Sequence, residues 1–98
     1  MNVEQTSPNE LTITGNIKSI QDSIRIKEEI GRALKADGSR LKLHIRDSFS
    51  MTSTVIGFLM KLVHQDKVQV SIVVEDSRLY ELLDELQLVK LMNVSRRS

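Results

Sequence analysis

Five hydroxyl side chains fall within seven residues of this chain: Ser48, Ser50, Thr52, Ser53 and Thr54. An apolar, almost uncharged run, VIGFLMKLV, follows at once. Hydroxyls placed there can do two kinds of work. One can cap a helix, accepting a bond from a backbone N–H that otherwise has no partner, a contribution of about 1 kcal/mol. Thr52 and Ser53 stand where such a cap belongs. One cap uses one hydroxyl, and it does not require Ser48, Ser50 and Thr54 as well, although loops are often rich in Ser and Thr. The second kind of work is to carry a phosphate. On Thr54 or Ser53, its negative charge would lie in the positive field of a helix start. A partner docked over that helix end would then be repelled.

Other reactive residue types do not assemble into a site. His44 sits between Lys42 and Arg46 on a strand-like segment, with no carboxylate near it in sequence to orient it as a catalytic base requires. It reads as an exposed strand residue. His64 ends a helical segment, where a cation suits the dipole. The two histidines have no metal-ligand spacing. The carboxylate pairs Glu28–Glu29, Glu75–Asp76 and Asp84–Glu85 read as solvated surface. Gly15, Gly31, Gly38 and Gly57 make no phosphate-cradling loop. Gly57, inside a helical segment, reads as a point of close approach to a strand or partner. With no nucleophile, base and orienter set, no enzyme is expected, and no cofactor or metal.

The chain has 98 residues, a net charge of +1, 40% hydrophobic residues and only 3% aromatics. The core must therefore be aliphatic. Absence of cysteine removes disulfides, thiolate metal sites and cysteine nucleophiles. Acidic and basic residues are interspersed apart from the final SRRS, which argues against nucleic acid as a partner. The start, MNVEQTSPNE, lacks the features of a secretory leader. The apolar run after the hydroxyls is too short to span a bilayer. These properties lead to the expectation of a soluble, cytoplasmic protein without membrane insertion.

The elements that must position the hydroxyls follow from periodicity. NVEQ reads as a short edge strand and Ser7-Pro8-Asn9 as a turn. ELTITG alternates as a strand, with Leu11 and Ile13 on one face. From about Ser19 the period becomes helical, with Ile26, Ile30, Ala33 and Leu34 inward, a start near Asp22 or Ser23 and a stop at Asp37-Gly38. LKLHIR alternates again. A second helix follows the hydroxyls, with Val55, Ile56, Leu59, Met60 and Val63 as its stripe. VQVSIVV is a strand with Val68, Val70, Ile72 and Val74 on one face. Asp76-Ser77 caps a third helix bearing Leu79, Leu82, Leu83 and Leu86. VKLMNV is a last short strand or an extended tail, and residues 95–98 a frayed end. Residues 1–98 thus form one domain with its core at about 10–94. It is α/β, with a mixed sheet of about four strands. Because the strands alternate, helices are expected chiefly on one face.

The segment LHIRDSFSMTSTVIGFLMKLV resembles the centre of STAS domains, the anti-sigma-factor antagonist family. There a strand reading roughly L-D-L-S is followed by a loop and by D-S-S-G-L-G opening a helix. Gly57 matches the second glycine, Ile56 the leucine, Thr54 and Ser53 the two serines, and Thr52 the aspartate. Val55 replaces the first glycine, and His44 the aspartate of L-D-L-S. ELTITGNI resembles the family's early strand, and VQVSIVVEDSRLYELLDELQLVKLMNV its closing strand, helix and tail. The resemblance implies a non-enzymatic regulatory module that binds a serine/threonine kinase acting as an anti-sigma factor. Phosphorylation at the position of Thr54, with Ser53 second, would end that binding. The docking surface would comprise Asp47, Ser48, Ser50, Met51, Thr52 and Phe58. A second branch of the family implies instead a scaffold docked on the ATPase of a lipid-transport ABC system.

Overall fold

In a computed structural model, residues 1–36 and 38–97 are described. The chain runs β1 (Asn2–Ser7), β2 (Glu10–Thr14), α1 (Ile20–Ala36), β3 (Arg40–Ile45), α2 (Ser53–His64), β4 (Gln69–Val74), α3 (Ser77–Glu85) and β5 (Val94–Arg96). The five strands form one sheet in chain order, β1-β2-β3-β4-β5. β1 pairs antiparallel with β2, and its register shifts between Gln5 and Ser7. The remaining pairs are parallel. The α/β class and mixed sheet are as expected, but the strands number five rather than about four. β5 supplies the difference. Ser95 and Arg96, expected in a frayed end, pair with Val73 and Val74. Asp37, half of the expected stop of α1, lies outside the described residues, as does Ser98.

Each crossover returns to the adjacent parallel strand, so the sheet winds in one direction. Crossovers of one hand then lay every helix on the same face. Burial shows the result. Leu11, Ile13, Leu41, Leu43, Ile45, Val70, Ile72 and Val74 are all at most 1% exposed. Their alternating neighbours Thr12, Lys42, His44, Ser71 and Val73 are part-buried or exposed. Against the buried face pack Ile26, Ile30 and Ala33 from α1, Val55, Leu59 and Leu62 from α2, and Leu79 and Leu83 from α3.

Two helical stripes differ from the sequence reading. The inner line of α2 is Val55, Leu59 and Leu62, a spacing of four and three. Ile56 and Val63 flank it, and Met60 faces outward. In α3, Leu86 is the C-cap and about half exposed. The start of α1 also lies earlier than Asp22. The Ser19 hydroxyl accepts from the Asp22 amide at 3.1 Å. The Asp22 carboxylate in turn accepts from the amides of Ser19 at 3.2 Å and Lys18 at 3.1 Å. This is a reciprocal capping box, Ser19-x-x-Asp22.

Truncation of an inner-face residue should be costly while an outward one is not. Leu43→Ala is expected to lower stability by about 2–5 kcal/mol, and Leu86→Ala by less than about 0.5 kcal/mol. Urea denaturation of the two variants measures the contrast.

Candidate functional site

The hydroxyl segment forms the connection between β3 and α2, at the carboxyl end of the parallel strands. It lies beside the connection between β2 and α1, and the two are bonded residue by residue. Gly15 N–H donates to Asp47 Oδ2 at 3.2 Å. Ile17 N–H donates to Ser48 Oγ at 3.0 Å, and Phe49 N–H to Asn16 Oδ1 at 3.3 Å. Ser48 Oγ–H donates onward to the Ser50 carbonyl. Gly15 suits its place in this connection: its φ is +84°, and a Cβ there would meet the backbone of Met1, at Cα 3.0 Å away.

Thr52 is the N-cap of α2. Its backbone is extended, and its Oγ1 accepts from the Val55 amide at 3.3 Å. The same oxygen lies 2.7 Å from the Ser23 hydroxyl, which is buried and donates to the Ser19 carbonyl at 3.2 Å. The cap of α2 is thus tied to the first turn of α1.

The structure divides the expected site residues into two sets. Ser48 is fully buried and Met51 only 7% exposed. Both were expected on the docking surface, and neither can touch a partner. Ser48 is committed to satisfying backbone groups, and Met51 to the core. Asp47, Ser53 and Thr54 are exposed, and Ser50, Thr52 and Phe58 part-buried. Ser53 and Thr54 make no side-chain hydrogen bond among the described residues. Thr54 and Phe58 are four apart on α2 and therefore neighbours on its surface. Phe58 lies under Lys27 Nζ, 5.3 Å from its ring centroid, in a shallow groove lined also by Ile24 and Glu28. Ile20 and Ile24, 74% and 50% exposed on α1, extend this apolar surface. Their spacing put them off the buried stripe, and that was the signal available in the sequence.

On the other side of the loop, α3 presents a clamp. Arg78 makes a bidentate pair with Asp76, Nε to Oδ1 at 3.0 Å and Nη2 to Oδ2 at 2.7 Å. Its guanidinium stacks 4.8 Å from the centroid of Phe49. Asp76 is also the N-cap of α3, accepting from the Arg78 amide at 2.8 Å. The Arg78 side chain, with the amide bonds, holds the Asp76 carboxyl down to about 2.

His44 is not the exposed, unoriented residue its sequence neighbours suggested. Its side chain is 15% exposed, and Nε2 lies 2.6 Å from Glu75 Oε2. A carboxylate can only accept, so this nitrogen donates. Arg46 Nε is 3.7 Å from the same oxygen. The orienting carboxylate is 31 residues away in sequence. Gly57 does not serve close approach within the chain: an added Cβ would meet nothing within 4 Å. Among the described residues no cluster of three potential metal ligands occurs, and no helix is long and apolar enough to cross a membrane. No family model matches the chain, and no curated protein or solved structure does either.

Two outcomes follow from this geometry. Ser48→Ala leaves the buried Ile17 amide without its acceptor and is expected to cost about 1–3 kcal/mol in denaturant unfolding, whereas Thr54→Ala should change stability little. For Asp76, the folded value of about 2 lies below the ordinary 3.8. Its stabilisation is therefore full above the ordinary value and lost as pH falls toward 2. Asp76→Asn keeps a good cap but not the charge. Thermal melts should show wild type losing its advantage over Asp76→Asn across that acidic window; parallel melting curves would contradict the assignment.

Proposed function

We propose that this protein is a non-enzymatic regulatory binding module of the STAS type, which docks a partner over the start of α2 and is switched by phosphorylation of Thr54. Ser53 is the secondary acceptor. The observation that carries this reading is the division of the hydroxyls. Thr52 already caps the helix and Ser48 is buried, while Ser53 and Thr54 stand exposed in the first turn with no side-chain hydrogen bond among the described residues. Thr54 is one helical turn from Phe58, which shares a groove with Ile24 of α1. A phosphate there would gain from the free N–H groups and positive end of α2. It would also set nearly two negative charges beside an apolar contact surface.

The partner class is the kinase-like anti-sigma factor implied by the family pattern, and the expected compartment is the cytoplasm. Asp47, Ser50, Thr52 and Phe58 complete the docking surface at its rim. Ser48 and Met51 support it from below.

The test is capture of partners from the native cell with wild type and with Thr54→Glu, joined to mass spectrometry of the peptide from Ser48 to Lys61. The expected outcome is a kinase-like partner on wild type, phosphate on Thr54, and at least about tenfold weaker binding by Thr54→Glu, roughly 1.4 kcal/mol. Equal binding by Thr54→Glu would remove the switch. A transport ATPase recovered with an unmodified peptide would replace the reading with that of an ABC scaffold.

A further inference from the structure

The face of the sheet opposite the helices is open, and a cleft of about 610 Å³ crosses it. Its walls include Thr12, Lys42, His44, Ser95, Arg96 and Arg97. The register explains the convergence. Thr12 pairs with His44, His44 with Val73, and Val73 with Ser95, so one row of outward side chains runs across four strands. Val73 is the apolar floor of that row. Just past β5, Arg97 adds a cation at one side, its backbone held by its amide, which donates to the Val74 carbonyl at 2.8 Å.

The charges in the cleft do not cancel. Among the described residues, Glu10 is its one carboxylate lining residue. It accepts from Ser7 Oγ at 3.0 Å and lies 3.7 Å from Lys42 Nζ. That pair is loose and half exposed on the lysine side, so the ammonium remains available to a second anion. Arg96 and Arg97 make no ion pair among the described residues. Glu75, at the rim, is engaged by His44 and Arg46. Lys42 and Arg97 thus face one carboxylate among the described residues, whereas Arg96 pairs with buried Val74 and its side chain alternates to the helix side. The Thr12 hydroxyl, 3.1 Å from that of Thr6, and the Ser95 hydroxyl stand between those two cations; with Thr6 as donor of their shared bond, both can donate to a ligand.

We infer that this cleft is a binding site for a small phosphate monoester. A phosphate dianion offers oxygens enough to take an arginine fork, an ammonium and a hydroxyl together. Lys42 and Arg97 hold the phosphate, and Thr12 and Ser95 donate to its oxygens or to hydroxyls of the ligand body over Val73. His44 has its Nε2–H committed to Glu75, which fixes the ring as a wall of the site. The cleft is separate from the Thr54 surface, which lies at the start of a helix on the other side of the sheet, so the inference stands whether or not Thr54 is a switch.

The probe is glucose 6-phosphate titrated into isotope-labelled protein, with amide chemical shifts as the readout and glucose as the uncharged comparison. Saturable shifts are expected at Thr12, His44, Val73 and Ser95, with a Kd of about 1 mM or tighter. Lys42→Gln and Arg97→Gln should each weaken binding about tenfold, and glucose should shift nothing. Both side chains are solvent-facing, and the same spectra report whether each variant is folded. Absence of shifts in wild type, unchanged affinity in the folded double variant, or equal binding of glucose would overturn the site.

Discussion

A parallel strand cannot be reached by a hairpin; the chain must cross a face of the sheet to start it again. Here three such crossovers step in one direction, β2 to β3 to β4 to β5. Most of the architecture depends on that constraint. All three helices share one face, so the strands need apolar residues only at alternate positions. The core is then a single layer of aliphatic side chains between sheet and helices, which a chain almost without aromatics can fill. The same winding gathers the connections that enter the helices at the carboxyl ends of the strands.

There the β2–α1 and β3–α2 connections must coexist, and their backbone groups must find partners. Ser48, Asp47 and Asn16 provide them across the gap. The hydroxyls of the segment are therefore not equivalent. Ser48 and Thr52 are structural by geometry, held through the Ile17 amide, the Val55 amide and the Ser23 hydroxyl. Ser53 and Thr54 are left over, on the helix turn that faces outward. The rigidity of the first pair presents the second pair in a fixed position, with Phe49 held from the far side by Arg78.

How much of this was legible in the sequence varies with the range of the interaction. Strands β2, β3 and β4 and all three helices announce themselves by period, because alternation and the helical repeat are local properties. The capping box Ser19-x-x-Asp22 was equally local, and its spacing could have placed the start of α1 correctly. β5 is only three residues long, too short for a period to show. Burial of Ser48 and the His44–Glu75 pair both depend on contacts about thirty residues apart. No pattern around His44 encodes the strand that will lie beside it. The inner line of α2 was misjudged for a related reason. Nearly every residue from Val55 to Val63 is apolar, so composition does not pick out which ones face the sheet.

The shifted register between Gln5 and Ser7 has a bearing on assembly. The outer margin of β1 is where a foreign strand could add to the sheet, backbone to backbone. A displaced step in the hydrogen-bonding rhythm, with charged Glu4 just before it, gives such a newcomer no even row of donors and acceptors to copy. At the opposite margin, β5 offers three residues only. Both rims of the sheet are poor templates for polymerisation, and recognition falls to side chains, on the loops or on the faces, where a contact can be made and released.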